Sequence, residues 1–540
     1  MAELAQPTEV LIKKYELWEK SQKPQDGTTT IHVDEVASRV AAFYERIRTI
    51  IDWKEEHLMR RAAIIRKLRR RFLDLELSDF SSTDIASPLV LELVRGGYFP
   101  NDKIEETKVH DVQHIIEKYV FIFKNSSSSA GNKGGANFYS RMLEIMACEI
   151  EETLAPSIKE MALMDYMFEI MRSRIKVGDA VYQRGLLKKE ETDVQIYIAV
   201  QQALFKLDPP IISYNILRYK YPYWNNPSHE ELLKISQNIY KIMATLEHDL
   251  VHPMAKKFYT LCEKHDTPFL LMGDVLTSES AEKVAIDVQE PATLEEHIRS
   301  AYSRRLKELK AKITRAAVYS TISIFVTKIL ILLLVEFVVA WLVLGTQPNI
   351  FVIGTDLLIP TLLMGALILS VKTPSKKNLN LAVMETMKIV YKKDQESGYE
   401  IKVSRPPNFV ARFLLSLIYS VSAVISFGII WEVFTFFNFP ITSIVINFIF
   451  IALILFTGTA VRRRSQELTV EVSREGVLSF ISDILFLPIA DTGRWLSTTF
   501  KQYNAISAFF NALIDMPFSA FVEFLEIWRF FLRERKEDLS

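Results

Sequence analysis

Four long apolar runs in the second half of the chain constrain its fold most. They cover residues 318–344, 350–371, 409–437 and 440–461, and each is long enough for a helix to cross ~30 Å of hydrocarbon at ~1.5 Å per residue. Only a few residues separate the first run from the second and the third from the fourth. The sequence therefore predicts an integral membrane protein with two transmembrane hairpins, at 317–371 and 409–461.

Lysine and arginine positions predict the orientation of these hairpins. Basic residues cluster before the first run, between the second and third runs, and after the fourth run as Arg462, Arg463 and Arg464. The short gaps inside the hairpins contain neither lysine nor arginine. The positive-inside rule then places both termini and the loop 372–408 in the cytoplasm. The first residues form neither a basic nor an apolar leader, so no signal peptide is expected, and the pattern favours a plasma membrane.

The remaining sequence predicts an all-α protein, because its apolar periodicity is helical and only 17 of 540 residues are glycine. A short amphipathic helix is expected at 381–392. Basic and acidic residues number 65 each, so net charge indicates no partner, and two cysteines fit a reducing cytosol. The expected regions are a flexible N-terminus (1–33), a cytoplasmic all-helical domain (34–292), a connecting helix that continues into the membrane (293–316), the first hairpin (317–371), a cytoplasmic loop (372–408), the second hairpin (409–461) and a cytoplasmic or interfacial aromatic segment (462–540).

A strongly basic stretch ends the first amphipathic pattern of the helical domain. Its members are Arg60, Arg61, Arg66, Lys67, Arg69, Arg70 and Arg71, with no acid among them. Such a face is typical of docking onto anionic lipid headgroups, at ~1 kcal/mol per basic residue near the surface. The alternative is a solvated helix face with cations favoured near the helix C-terminus. Nucleic acid is not expected, because no aromatic interleaving or known binding module accompanies the stretch.

Aromatic residues are concentrated after the last apolar run. Residues 480–532 carry thirteen Phe, Tyr or Trp, including Trp495, Phe521 and Trp528. We expect Pro488 and Pro517 to break this region into short amphipathic helices lying along the inner leaflet. The alternative is packing against the soluble domain. Residues 214–224 are also dense in aromatics and are expected to pack against a neighbouring helix, with a membrane interface as the alternative.

Ionisable and polar residues within the apolar runs are candidates for function, because burying them in hydrocarbon is costly. They are Lys328, Glu336, Asp356, Glu432 and Asn447. Lys328 stands near the cytoplasmic end, where its side chain can snorkel to the headgroups. The three acids fall in the outer half of the bilayer and would attract a cation or relay protons if they cluster. The alternative is that they are protonated, or hydrogen-bonded between helices, and serve assembly.

Two histidine pairs share the spacing HDxxH. His110 with His114, and His248 with His252, stand at i and i+4, so each pair lies on one helical face as two ligands of one metal must. Glu247 would add a carboxylate. No further motif completes a recognised metal site, and solvated helix faces explain both pairs. No nucleotide, kinase or hydrolase motif occurs either, so an enzyme is the least supported class.

The leading prediction is a membrane-anchored scaffold or membrane-organising protein without a cofactor. Its expected partners are the lipid bilayer, anionic headgroups and a cytoplasmic protein that binds the helical domain. The second hypothesis is a channel or transporter subunit, which would be a homo-oligomer because four helices rarely enclose a pore. The third is a metal-dependent membrane enzyme that uses the two histidine pairs.

Overall fold

The chain folds almost entirely into helices. The computed structural model describes residues 3–21, 29–33, 56–74, 84–126, 135–331, 350–369, 374, 376–391, 398–402, 408–466, 468–470 and 477–502. The N-terminal elements are α1 (Gln6–Ser21), α2 (Glu56–Asp74), α3 (Ala86–Arg95), α4 (Glu106–Asn125), α5 (Gly135–Leu154), α6 (Ile158–Arg174), β1 (Ile175–Val177), α7 (Asp179–Gln183), α8 (Lys189–Phe205), α9 (Pro209–Lys220) and α10 (His229–Leu250). The later elements are α11 (Ala255–Lys264), α12 (Thr267–Leu276), α13 (Ala281–Asp287), α14 (Pro291–Ile331), α15 (Ile350–Leu369), α16 (Lys376–Val390), β2 (Tyr399–Ile401), α17 (Phe409–Phe436), α18 (Ile441–Ser465) and α19 (Val477–Gln502). The predicted all-α class is confirmed.

Helix α8 is the shared centre of the soluble domain. Its side chains are apolar on opposite faces, as expected of a helix that is buried all round. Val194 and Ile198 belong to a core built with α2 to α5, α9 and α10. Ile196 and Val200 belong to a second core built with α1, α6, α11 to α14 and α16. One helix therefore joins the two halves of the domain.

Residues 6–21 form helix α1 within the segment 1–33 that is predicted to be flexible. Helix α1 places Leu11 and Tyr15 in the second core. The Thr8 hydroxyl lies 3.0 Å from the Tyr166 hydroxyl, and the Ala5 amide donates to the Val390 carbonyl at 2.9 Å. The expected flexibility is wrong for residues 6–21, because apolar residues at helical spacing on α1 pack against α6. The polar composition of the segment hides this apolar face in the sequence.

A single helix connects the soluble domain to the apolar helices, as predicted. Helix α14 runs without a break across the expected junction at residue 317. Leu294, Ile298 and Tyr302 of its first part are buried in the second core. Arg305 forms an ion pair with Asp274 on α12, with its Nη2 donating to Oδ1 at 2.8 Å. The helix is therefore anchored along one side before it leaves the domain.

The loop between the predicted hairpins belongs to the soluble domain. Helix α16 buries Ala382 and Val390 in the second core. After it, β2 pairs in parallel with β1, in a register that places Lys176 opposite Glu400. The amphipathic helix expected at 381–392 thus starts five residues earlier, at Lys376. The described residues 376–391 and 398–402 are therefore part of the domain, where a separate loop over 372–408 is predicted.

One helix of the described residues is long and apolar enough to cross a membrane. This is α17, which has 28 residues and contains an 18-residue stretch with a mean hydropathy of 2.2. Shorter apolar segments are Leu357–Leu367 in α15, Ser443–Thr459 in α18 and Thr267–Leu276 in the soluble domain. The finding supports one candidate span and leaves the predicted four-helix transmembrane region unconfirmed.

Helix α19 differs from its prediction in two ways. Pro488 lies inside a continuous helix of 26 residues, so the expected break there is wrong. The helix packs against both α17 and α18, with Ile489 and Ala490 in their shared apolar core. Its Trp495 is 63% exposed, while Phe521 and Trp528 lie outside the described residues.

Candidate functional sites

A fully buried lysine lies among the apolar helices. Lys328, near the end of α14, is 0% exposed, and its Nζ lies 5.2 Å from the centroid of the Phe450 ring on α18. Lys328 therefore packs against α18, and the expectation that it snorkels to the headgroups stays a prediction. Asn447 and Ser443 are also fully buried on α18, and the Asn447 amide donates to the Ser443 carbonyl at 3.0 Å. Buried polar groups of this kind are expensive among apolar helices and mark candidate sites.

Of the three acids in the predicted cluster, the structure describes the side chain of Glu432 alone. Glu432 is exposed on α17, on the outside of the described bundle. The backbone of Asp356 belongs to α15, while its side chain and all of Glu336 lie outside the described residues. A cluster that includes Glu432 has no support from this arrangement, and the roles of Asp356 and Glu336 stay predictions.

Most basic residues of the stretch on α2 make contacts with other parts of the protein. Arg69 and Arg70 are exposed, and lipid contact stays a prediction that now depends on these two. The other contacts are Arg60 over the Phe99 ring at 5.7 Å, Arg61 paired with Asp208, Arg66 donating to the Tyr98 hydroxyl at 3.1 Å, Lys67 paired with Glu92 at 2.8 Å, and Arg71 paired with the same Glu92. Glu92 on α3 and Asp208 just before α9 neutralise part of the stretch, and the 98–99 turn supplies uncharged contacts. These partners are distant in sequence, so a local pattern does not reveal them.

The histidine pairs do not form a metal site in the described residues. His110, His114 and His248 are exposed, whereas His252 is buried and its Nδ1 accepts the Met254 amide at 3.1 Å. Glu247, the expected carboxylate, is held by Arg141 at 2.5 Å. No group of three His, Cys, Asp or Glu side chains suited to a metal occurs within the part of the chain that the structure describes.

A buried amide joins three distant segments beside the apolar helices. The Asn378 side chain on α16 donates to the Tyr302 hydroxyl on α14 at 2.8 Å and to the Leu468 carbonyl at 2.6 Å. Its Oδ1 accepts the Val470 amide at 2.7 Å. Asn378 therefore links the connecting helix, the segment between α15 and α17, and the segment that follows α18. We call this set of contacts the Asn378 junction.

A groove of about 740 Å³ opens on the soluble domain between α1, α6 and α9. This volume falls within the ~300–1,000 Å³ typical of small-molecule sites. Phe168, Tyr197 and Tyr219 form an aromatic wall in which the rings of Tyr197 and Tyr219 are stacked at 5.2 Å. The Phe168 ring stands edge-on to both, at 5.3 Å and 6.0 Å.

The groove has charged residues at its edge. Lys14 on α1 pairs with Asp165 on α6 at 2.6 Å, which closes the groove on one side. Arg218 on α9 also lines it, with its guanidinium 5.5 Å from the centroid of the Tyr214 ring. Burial, followed by the nearby Asp165 carboxylate, raises the pKa of Tyr197, while Arg218 opposes that shift.

A buried ion pair fixes the loop at one end of the groove. Lys118 and Glu149 pair inside the domain, and Lys118 Nζ donates to the Trp224 carbonyl at 2.9 Å. The same loop supplies Pro222 and Asn225 to the groove. Burial lowers the pKa of Lys118, while Glu149 opposes that shift. The sequence signal for this site is the aromatic stretch 214–224, in which Trp224 packs in the core as predicted and Tyr219 lines the groove.

Comparison of the chain with family models, with curated proteins and with solved structures finds no match in any of the three. Functional inference therefore depends on the residues and contacts described above.

Proposed function

We propose that this protein is a multi-pass integral membrane protein whose cytoplasmic helical domain acts as a scaffold held in a fixed orientation to the membrane helices. The observation that carries the proposal is the Asn378 junction. It ties the soluble domain to segments that flank the apolar helices, through an amide that is 2% exposed. A domain joined in this way cannot swing freely on a linker, which suits a protein that presents a partner at a set position near the bilayer.

The surface of α17 supports the membrane part of the proposal. Apolar side chains are exposed along the whole helix, including Phe409 at 83%, Val424 at 74% and Phe436 at 80%. An apolar surface of this extent marks contact with lipid or with another protein. We assign α15, α17, α18 and the apolar run that continues from α14 as the four spans. The basic residues around them then keep both termini and residues 372–408 in the cytoplasm. Arg69 and Arg70 would contact anionic headgroups in this arrangement.

Cysteine labelling tests the topology. Cys148 and Cys262 are both buried, so the wild-type chain should react little with an impermeant maleimide. Phe437→Cys, in the exposed turn between α17 and α18, should react in intact cells, and Ser303→Cys should react only after permeabilisation. Labelling of both positions in intact cells would refute the orientation. Labelling of both positions only after permeabilisation would refute it as well.

Cross-linking in native membranes tests the scaffold. We expect a cytosolic protein to be recovered with the full-length chain and to be recovered less with Asn378→Ala, which removes the Asn378 junction. Asn380→Ala is a matched control, because Asn380 is exposed on the same helix and contacts Arg299 at the surface. Recovery of the same proteins from membranes that lack the chain would count against a scaffold.

Transport is a second candidate, favoured by the burial of Lys328 beside Phe450. A charged group enclosed by apolar helices suits an ion pathway. Ion flux into proteoliposomes should then be present for the wild type, lost in Lys328→Met and retained in Lys310→Met, because Lys310 is exposed on the same helix. Absence of ion flux into wild-type vesicles would exclude transport. Lys328 would then be a residue that stabilises the packing of the helices.

A further inference from the structure

We propose that the groove between α1, α6 and α9 binds an organic anion that carries a carboxylate on a planar, apolar body. The inference goes beyond the scaffold and stands without it, because all the lining residues lie in the soluble helices and the loop that follows α9.

The aromatic wall selects the planar body. Tyr197 and Tyr219 present stacked rings with an interplanar angle of 25°, and Tyr219 is 41% exposed, so one aromatic surface is open to the groove. Phe168 is buried edge-on behind both rings and holds them in place. A ligand ring that stacks here gains the offset or edge-on contacts that aromatic pairs prefer, worth ~0.5–1.5 kcal/mol beyond burial.

Arg218 selects the carboxylate. Among the described residues no carboxylate forms an ion pair with Arg218, and its guanidinium lies 5.5 Å from the centroid of the Tyr214 ring. The other cation of the groove, Lys14, is already paired with Asp165. Two further acids lie near Arg218. Glu169 is exposed, so solvent screens its charge, and Glu152 accepts hydrogen bonds from the Ser157 amide and hydroxyl. A planar guanidinium that stacks on an aromatic ring and keeps its donors available is the group best suited to bind a carboxylate through two hydrogen bonds.

The groove is formed before a ligand arrives. Lys118 fixes the loop that carries Pro222 and Asn225, and the Tyr214 hydroxyl donates to Asn225 Oδ1 at 3.3 Å. Below it, the Asn215 amide donates to Gln201 Oε1 at 2.7 Å between two buried side chains. Walls held in this way lose little conformational entropy on binding, which favours affinity for a small ligand.

Two matched probes test the inference on the full chain in lipid nanodiscs. N-acetyl-tryptophan has the ring and the carboxylate, whereas N-acetyl-tryptophanamide has the same ring and no charge. Titration calorimetry should show the acid binding the wild type at least about tenfold more tightly than the amide, as expected for a charge-assisted contact. Arg218→Gln should reduce that ratio to about one, and Arg218→Lys should retain part of it.

Variants of the wall provide the second measurement. Tyr219→Ala should weaken the binding of the acid and of the amide by the same factor. Tyr223→Ala should leave both affinities unchanged, because Tyr223 is 63% exposed and does not line the groove. Thermal unfolding of each variant establishes that the domain is intact. Equal affinity of the wild type for acid and amide, an unchanged ratio in Arg218→Gln, or no binding of either probe up to about 10 mM, the weak end of specific affinity, overturns the inference.

Discussion

The hydroxyl of Ser422 on α17 donates a hydrogen bond of 2.7 Å to the carbonyl oxygen of Ile484 on α19. Ile484 stands four residues before Pro488, which has no N–H to donate to that carbonyl within the helix. A neighbouring helix thus supplies the missing donor, a known way in which apolar helices accommodate proline. Ser426 repeats the contact one turn on, donating to the Leu485 carbonyl at 2.7 Å.

Replacing Ser422 by alanine should lower the free energy of unfolding by about 0.5–1.5 kcal/mol, because the Ile484 carbonyl is left without a partner. The loss should shrink when Pro488→Ala is also present, since residue 488 then offers its own N–H to that carbonyl. Denaturant unfolding of the two single variants and the double variant measures this coupling. Ser420→Ala is the control, because Ser420 is exposed on the same helix. An identical cost with and without Pro488 would contradict the explanation.

Gly493 lets α19 approach α18 closely. A Cβ atom at this position would overlap the Ala452 carbonyl and lie 3.0 Å from the Phe456 Cβ. Gly493→Ala should therefore cost about 1–3 kcal/mol by overpacking. Gly428→Ala, at a helical glycine with open space around it, should be neutral or stabilise by up to about 1 kcal/mol. Thermal unfolding in nanodiscs compares them, and equal effects would show that the helices are not in close contact at Gly493.

Removing the amide of the Asn378 junction should loosen the segment after α18. Asn378→Ala leaves the Leu468 carbonyl and the Val470 amide without their partner, at an expected cost of about 2–4 kcal/mol. Amide hydrogen exchange at 468–470 should become faster in this variant. Asn380→Ala provides the comparison, because Asn380 is exposed and contacts Arg299 at the surface. Unchanged exchange at 468–470 in Asn378→Ala would show that other contacts hold the segment.

His265 should make stability depend on pH. Its ring is stacked on Tyr399 of β2 at 4.1 Å. Burial, followed by the nearby charges of Lys264 and Arg174, lowers the pKa of His265 to about 4. The unfolded chain takes up this proton near pH 6.5, so between about pH 6.5 and pH 4 it binds more protons than the folded chain, and the free energy of unfolding falls as the pH falls.

His265→Phe keeps the stacked ring and removes the titration, so the decline over this pH window should become shallower. Chemical unfolding at several pH values measures the slope. His114→Gln, at an exposed histidine, should keep the wild-type slope. An unchanged slope in His265→Phe would assign the pH dependence to other groups.

Helix content and the continuous α14 could be predicted from the sequence because they follow local apolar periodicity. The same holds for the aromatic stretch 214–224, whose burial was expected. The order of α1 could not be predicted, since it depends on a face of α6 that lies about 150 residues away and pairs Thr8 with Tyr166. Continuity of α19 through Pro488 likewise depends on Ser422, which no local rule connects to residue 484.

The predicted lipid-binding site lost most of its support because the basic residues were considered without the acidic residues that pair with them in the fold. The basic stretch 60–71 contains no acid, yet Glu92 and Asp208 neutralise three of its cations in the folded chain. Arg218 lies within the aromatic stretch 214–224, but the sequence does not distinguish it from the other basic residue there. Its significance comes from the aromatic residues around it and from the absence of an ion pair among the described residues, and both are properties of the fold.

The Asn378 junction also determines when, during translation, the second core can be completed. Residues up to 331 leave the ribosome before α16, β2 and residues 468–470 exist, so the second core is still lacking one side at that stage. At roughly 5–20 residues per second, the remaining stretch to residue 470 takes on the order of ten seconds to translate. Helices α15, α17 and α18 are therefore synthesised while the soluble domain still lacks part of its core. In the arrangement that we propose, these helices enter the membrane before the soluble domain has finished folding.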